Sequence, residues 1–171
     1  MDVKGDFNQL LNQEKKLDLW IIHISIPMLI PGSYIKSTPS LDGSYFENSI
    51  ILIVENNNDG AVGFVVNRPF VRSLNELVEF KKSKPFPLLE GGPVDQEHIY
   101  VVHNRPDLIK GSQSISNGMY YGGDIQQVIE AINVHGATQK EIQLFIGYCG
   151  WDAEELEDEL EEGSWTITTG L

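Results

Sequence analysis

The chain has 171 residues, 41% of them hydrophobic, with 16 Gly and 8 Pro. That suffices for one domain with one core, and it excludes a disordered or fibrous chain. The formal net charge is −13, and eight acids fall between Trp151 and Glu162 with no Lys or Arg among them. Affinity for phosphate backbones needs clustered cations that displace counterions, so direct nucleic-acid binding is disfavoured. The single cysteine, Cys149, excludes an internal disulfide and fits a reducing compartment.

The first twenty residues mix acids with bases ahead of any apolar stretch, which does not read as a secretory signal. A cytoplasmic location is therefore expected. Residues 6–17 carry Phe7, Leu10, Leu11 and Leu17 near helical spacing, which predicts a short amphipathic helix. The apolar run LWIIHISIPMLI at 19–30 spans 12 residues and contains His23, Ser25 and Pro27. A bilayer needs about 20 residues, so this run is expected to be a buried or partner-facing segment.

Residues 34–38, YIKST, predict a strand, and PSLDGSYF after it a loop. SIILIVE at 49–55 and AVGFVVN at 61–67 are rich in β-branched residues and joined by NNNDG. They predict a hairpin in which Asp59-Gly60 supplies the positive φ of a tight reversal. Arg68-Pro69 is expected to end the second strand. SLNELVEF at 73–80 has Ser73 and Glu76 at capping-box spacing and predicts a helix start. The lysines of FKKSK at 80–84 read as a solvated loop.

PFPLLEGGPV predicts a loop and IYVVH at 99–103 a strand. Asp124 opens a helix with Val128, Ile129 and Ile132 on one face, Gln127 at the capping-box position and Gly136 as a left-handed stop. IQLFIGY at 142–148 reads as a strand covered on both faces. Strands outnumber helices without regular βαβ alternation, which points to an α+β fold with a mainly antiparallel or mixed sheet in one domain, 1–171.

The acidic segment explains itself locally. With Asp152 as N-cap, Glu155 completes a capping box, and Trp151 with Leu156 forms a hydrophobic staple. Ala153, Leu156 and Leu160 would then share the inner face, with Gly163 as the stop. Asp158, Glu159, Glu161 and Glu162 crowd the helix's C-terminal half, where the dipole disfavours negative charge, and Glu157, Asp158, Glu161 and Glu162 are the candidate docking residues. Their alternatives are a solvated face or a docking surface for a basic partner.

Chemistry-bearing constellations are sparse. Cys149 precedes this helix, but adjacent acids oppose a thiolate. His23, His98, His103 and His135 show no metal-ligand spacing, and no G-x-S-x-G elbow is present. EGGPV at 90–94 lacks a P-loop ending, while YYGGDIQQ at 120–127 places Asp124 where an anion would sit. No metal or cofactor is implied.

Five stretches in order carry a family resemblance: STPSLDGSYFENSIILIVE (37–55), DGAVGFVVNRP (59–69), LLEGGPV (88–94), GMYYGGD (118–124) and FIGYCGWDAEELEDELEEGSW (145–165). The chain resembles the AlgH/YqgE family of bacterial proteins over residues 37–165. Cys149 and Asp152 depart from the family's pattern, standing where Ser and Gly are expected, and residues 1–32 precede its motifs. The resemblance implies an α+β fold whose bifurcated sheet curls into a partial barrel. It also implies a transcriptional regulator, a role attached to the family by a genetic association with exopolysaccharide production rather than by a DNA-binding motif. No catalytic residue comes with it.

The leading expectation is a non-enzymatic binding or regulatory protein acting through an unidentified protein partner. Its surface is framed by the 39–46 loop with Asp42, by Asn67, Arg68 and Pro69, by Gly91, Gly92 and Pro93, and by Trp151. A small-ligand-binding protein or hydrolase using Asp42, His98 or His103 is the alternative. A direct nucleic-acid regulator is the third.

Overall fold

A computed structural model describes residues 29–170. The expected helix at 6–17 and all but the last two residues of the 19–30 run lie outside the described residues. Ten strands and two α-helices follow: β1 (Tyr34–Ser37), β2 (Ile50–Asn57), β3 (Gly60–Val65), β4 (Pro69–Ser73), β5 (Pro87–Glu90), β6 (Val94–His103), β7 (Ser112–Ser114), β8 (Tyr120–Gly122), α1 (Ile125–Asn133), β9 (Ile142–Asp152), α2 (Glu155–Glu161) and β10 (Trp165–Thr168). They form an α+β fold in which a mainly antiparallel sheet curls into a half-barrel flanked by short helices.

The hairpin forms as expected, but Asn57 pairs with Gly60, so the two-residue loop is Asn58-Asp59. Gly60 closes it at φ +134°, and a Cβ there would strike the Trp151 carbonyl. Only glycine allows the approach.

The sheet forks at β9. Residues 149–152 pair with β3, Phe145 and Ile146 pair with β5 in parallel, and β6 runs along the other side. Gly147, in the left-handed region at φ +70°, sits in β9 between the two branches, where a Cβ would crowd the Gly92 and Val94 carbonyls. The main path runs β10-β1-β2-β3-β9-β6-β8-β7, and β4 attaches only to β5.

Sequence patterning is corrected at four places. Residues 73–80 form two 3-10 turns, Leu74–Glu76 and Val78–Phe80, because Leu77 between them is extended at φ −81°, ψ 139°. The Ser73–Glu76 capping box is nonetheless made, with Glu76 Oε2 accepting from the Ser73 N–H at 2.7 Å. The expected loop through PFPLLE contains β5; Pro87 is its first residue, where a missing N–H is tolerated. Strand β3 stops at Val65, and Pro69 opens β4 rather than ending the preceding strand. Asp152 is the last residue of β9, and the N-cap of α2 is Glu154, left-handed at φ +67°. Glu155 Oε2 still accepts from the Asp152 N–H at 2.8 Å, so half of the expected box survives. Ala153 is exposed, while Leu156 is fully buried and Leu160 half-buried.

Helix α1 is N-capped by Asp124, whose Oδ1 accepts from the Gln126 and Gln127 N–H groups. The Gln127 side chain does not turn back to the cap. Its Oε1 accepts from the Lys110 N–H at 2.7 Å and joins the helix to the preceding loop.

Three apolar clusters fill the molecule. One lies under α1 and the 3-10 turns and includes Leu74, Val128, Ile132 and Leu144. A second gathers Ile35, Ile51, Trp151, Leu156 and Trp165 beneath α2. The third includes Phe64 and Phe145, whose rings stack at 4.6 Å between centroids. Strand β9 contributes to all three, which is why its sequence reads as apolar on both faces.

Candidate functional site

The loop between β1 and β2 is held by its own short polar side chains. Ser44 Oγ donates to the Leu41 carbonyl and accepts from the Phe46 N–H, while Glu47 Oε2 accepts from the Gly43 N–H. Thr38 Oγ1 donates to the Gly163 carbonyl at 2.6 Å and ties the loop to the end of α2. Phe46 packs edge-on against Trp165 at 5.5 Å. Tyr45 is left on the outer side, 36% exposed.

Arg68 reaches this loop from the β3–β4 connection. Its Nη2 donates to the Tyr45 carbonyl at 2.9 Å and to Ser49 Oγ at 3.1 Å, and its guanidinium carbon lies 4.7 Å from the centre of the Tyr45 ring. The Tyr45 hydroxyl donates to Glu90 Oε1 at 2.7 Å, and the Glu90 N–H donates to the Arg68 carbonyl at 2.9 Å. At 3.9 Å the Arg68–Glu90 ion pair is at the outer edge of contact, so the tyrosine holds the carboxylate more firmly than the arginine does. Burial first, and then the adjacent Glu90, push the Tyr45 hydroxyl above the ordinary tyrosine range. It is a neutral donor at physiological pH.

The fork positions this cluster. Gly91 donates to the Ile146 carbonyl, and its own carbonyl accepts from the Val65 N–H at 2.9 Å and from Cys149 Sγ–H at 3.4 Å. A Cβ at Gly92 would overlap the Tyr148 backbone. Burial pushes the Cys149 thiol up to about 12, which leaves it protonated and inert.

The residues expected to frame a surface therefore separate. Arg68 is partly exposed within the cluster, and Asn67 lies beside it, accepting from the Ile50 N–H and donating to the Asn48 carbonyl. Asp42, Pro69 and Pro93 are exposed. Gly91 and Gly92 are buried in the fork, and Trp151 is 8% exposed beneath α2. Tyr45 and Glu90, not singled out from sequence, complete the constellation; an aromatic in a turn-rich loop was their only local signal.

The acidic helix is divided between structure and surface. Glu159 Oε2 accepts from both indoles, Trp151 Nε1 at 2.9 Å and Trp165 Nε1 at 2.7 Å. Glu157 Oε1 accepts from Asn56 Nδ2 at 3.2 Å. Asp158, Glu161 and Glu162 are exposed, and their carboxylates have no hydrogen-bond or ionic partner among the described residues.

The residues of the enzyme alternative do not converge through any contact among the described residues. Asp42 lies exposed after the 3-10 turn Pro39–Leu41. His98 and His103 are five residues apart on β6, roughly 16 Å along an extended strand. His98 is on an exposed bulge, its Nδ1 2.7 Å from Asp95 Oδ1, while the other Asp95 oxygen accepts from the Tyr100 hydroxyl. Those two bonds, the tyrosine's first, hold the Asp95 carboxyl below its ordinary range, and the Asp95 bond holds the His98 imidazole above its own. His103 is 2% exposed and stacks on Tyr120 at 5.6 Å. Its Nδ1 accepts from the Arg105 N–H, its Nε2 finds no partner among the described residues, and burial lowers its pKa. Among the described residues no group of three His, Cys, Asp or Glu side chains is placed to hold a metal ion, and no helix is long and apolar enough to cross a membrane.

Known proteins resemble this chain in sequence and in fold. A UPF0301 protein of Chlorobium limicola is 37% identical over 137 residues, covering 80% of this chain and 73% of its own. A UPF0301 protein of Bacteroides fragilis is 31% identical over 152 residues, with coverage of 88% and 77%. The solution structure of the AlgH protein of Pseudomonas aeruginosa superposes with a TM-score of 0.67 at 26% identity, covering 84% of this chain and 79% of that one. The crystal structure of protein DIP2367 of Corynebacterium diphtheriae gives a TM-score of 0.67 at 21% identity, over 85% and 78%, and shows the fold alone. The model of the AlgH-like family matches residues 34–170, the same stretch that forms the forked sheet, and the chain belongs to the UPF0301/AlgH/YqgE family.

Proposed function

We propose that this chain is a non-enzymatic binding protein, acting in the cytoplasm through a protein contact centred on Tyr45, Arg68 and Glu90. The observation that carries this reading is the pre-ordering of a partly exposed arginine and an exposed tyrosine. Arg68 is fixed by two hydrogen bonds and an aromatic face before any partner arrives. Tyr and Arg are over-represented among residues that dominate binding energy, and a side chain already fixed loses less entropy on association. The regulatory role implied by the family resemblance is then exerted through a protein partner, in keeping with a net charge of −13 that opposes DNA.

A photo-crosslinking residue at exposed Asp42, with one at exposed Gln139 as control, tests the reading in cells. A discrete adduct is expected at position 42 only, weakened at least about tenfold by Arg68→Ala in a chain that keeps its melting cooperativity. Equal adducts at both positions, or an adduct indifferent to Arg68→Ala, would overturn it.

A further inference from the structure

An open groove of about 500 Å³ lies between the second 3-10 turn and α1. Val78, Phe80 and Ile129 supply its apolar lining, and Lys81 and Lys82 stand at it with Glu79. The groove is built rather than incidental. Asn133 Oδ1 accepts from the Lys84 N–H at 2.8 Å and from Ser83 Oγ at 3.3 Å, which pins the lysine turn to the helix. Val78 is 79% exposed, and Lys81, Lys82 and Lys84 are exposed without an ion pair among the described residues. A cationic, partly apolar concavity in a chain of net charge −13 is an exception to the molecule's overall field.

Its complement is present in the same chain. Asp158, Glu161 and Glu162 stand at i, i+3 and i+4, so they share one face of α2. Their helix is anchored from behind by Leu156 and by the Glu159–tryptophan bonds. Glu161 and Glu162 stand at the helix C-terminus, where the dipole disfavours them, and nearby ammonium groups would relieve that cost. The long methylene stems of Lys81 and Lys82 can lie along the apolar lining while their ammonium heads meet the carboxylates.

We infer that the lysine groove of one copy receives the Asp158–Glu161–Glu162 face of a second copy. The contact joins two different surfaces, so it closes as a reciprocal pair or extends head to tail. It is separate from the Tyr45–Arg68–Glu90 surface and does not depend on it. Its salt dependence has two sides. At roughly 10 mM ionic strength the screening length is about 30 Å, and the like net charges of two copies repel. Near 0.15 M it falls to about 8 Å, which removes that repulsion but keeps the close contact; at about 1 M the contact itself is screened. Self-association is therefore greatest at intermediate salt.

Sedimentation velocity on the full chain tests this, from ~1 to ~500 µM at the three ionic strengths. The intact chain is expected to associate reversibly with that maximum. Lys81→Glu with Lys82→Glu, or separately Glu161→Lys with Glu162→Lys, should weaken association at least about tenfold, and an equimolar mixture of the two variants should restore it. Arg68→Ala should leave it unchanged, so failure here is distinct from failure of the Tyr45–Arg68 reading. A monomer at every concentration, association indifferent to either pair of substitutions, or folded variants that fail to complement each other would overturn the inference.

Discussion

Two tyrosine–carboxylate clusters in this molecule use similar groups to opposite ends. Tyr45, Arg68 and Glu90 come from three separate segments and meet over the fork of the sheet. Asp95, His98 and Tyr100 come from six consecutive positions of one strand and staple its bulge to itself. The first cluster joins elements distant in sequence, so breaking it should loosen the 39–46 loop. The second closes only a local excursion in which Asp95 and His98 are exposed and Tyr100 is half-buried, so breaking the Asp95 bonds should change the bulge and little else. Side-chain composition alone does not distinguish a tertiary clamp from a local staple; sequence separation and burial do.

The largest expected effect falls on the support of the first cluster. Gly92→Ala places a methyl group into the Tyr148 backbone, and overpacking of this kind costs about 1–3 kcal/mol or more where backbone must move. A drop in the chemical-denaturation midpoint is expected, whereas Gly111→Ala, where a Cβ meets nothing within 4 Å but φ is +76°, should cost only about 1 kcal/mol of left-handed strain. Equal losses at the two glycines would mean that the fork is not tightly packed.

Arg68→Ala comes next. It strips the charged donor from the Tyr45 carbonyl and from Ser49, whose residue is 1% exposed. A loss of about 1.5–3 kcal/mol is expected, the range for hydrogen bonds to charged groups, with faster amide exchange confined to residues 39–49. Tyr45→Phe removes one hydroxyl bond to Glu90 and should cost about 0.5–1.5 kcal/mol. If it exceeds Arg68→Ala, the carboxylate rather than the arginine is the centre of the clamp.

The smallest effects belong to the second cluster and are best read by NMR titration. His98 has a raised pKa in the folded chain, so its pairing favours the fold below the ordinary histidine value of 6.5 and is lost as pH rises through the raised value. Asp95 has a lowered pKa, so its contribution is present above its ordinary value of 3.8 and is lost as pH falls through the lowered one. Asp95→Asn should return His98 toward ordinary titration while leaving the melting temperature nearly unchanged. His103 provides the contrast on the same strand: its depressed pKa means that stability falls as pH drops below 6.5 toward its folded value, and His103→Phe should flatten that part of the profile. A bulge variant that lowers the melting temperature as much as Arg68→Ala would erase the distinction between the two clusters.

Elements with local, repeated signals were legible in sequence. The β2–β3 hairpin, α1 with its Asp124 cap and the central strand β9 declare themselves through β-branched alternation, capping chemistry and a continuous apolar run. Strand β5 did not, because the four residues Pro87–Glu90 open on a proline, precede a Gly pair and carry no periodicity, and they pair with β4 and with β9, the latter more than fifty residues away. The 3-10 turns at 74–80 misled for the opposite reason: a genuine capping box is present, but it starts a turn that Leu77 does not continue. At the candidate site, Arg68 stood out as a charged residue in a Pro-containing turn. Tyr45 and Glu90 acquire their meaning only through contact with it.

By itself, the sequence determined the acidity, the α+β class, the hairpin, the main helix and the membership of residues 34–170 in their family, because these depend on composition, short-range periodicity and ordered motifs. Tertiary structure alone decided that the sheet forks at β9, that Glu159 belongs to two tryptophans while Asp158, Glu161 and Glu162 face outward, and that an arginine, a tyrosine and a glutamate from three segments form one surface. Those features are set by pairings between residues distant along the chain, and such pairings are fixed by packing and backbone hydrogen bonding that no local window of sequence contains.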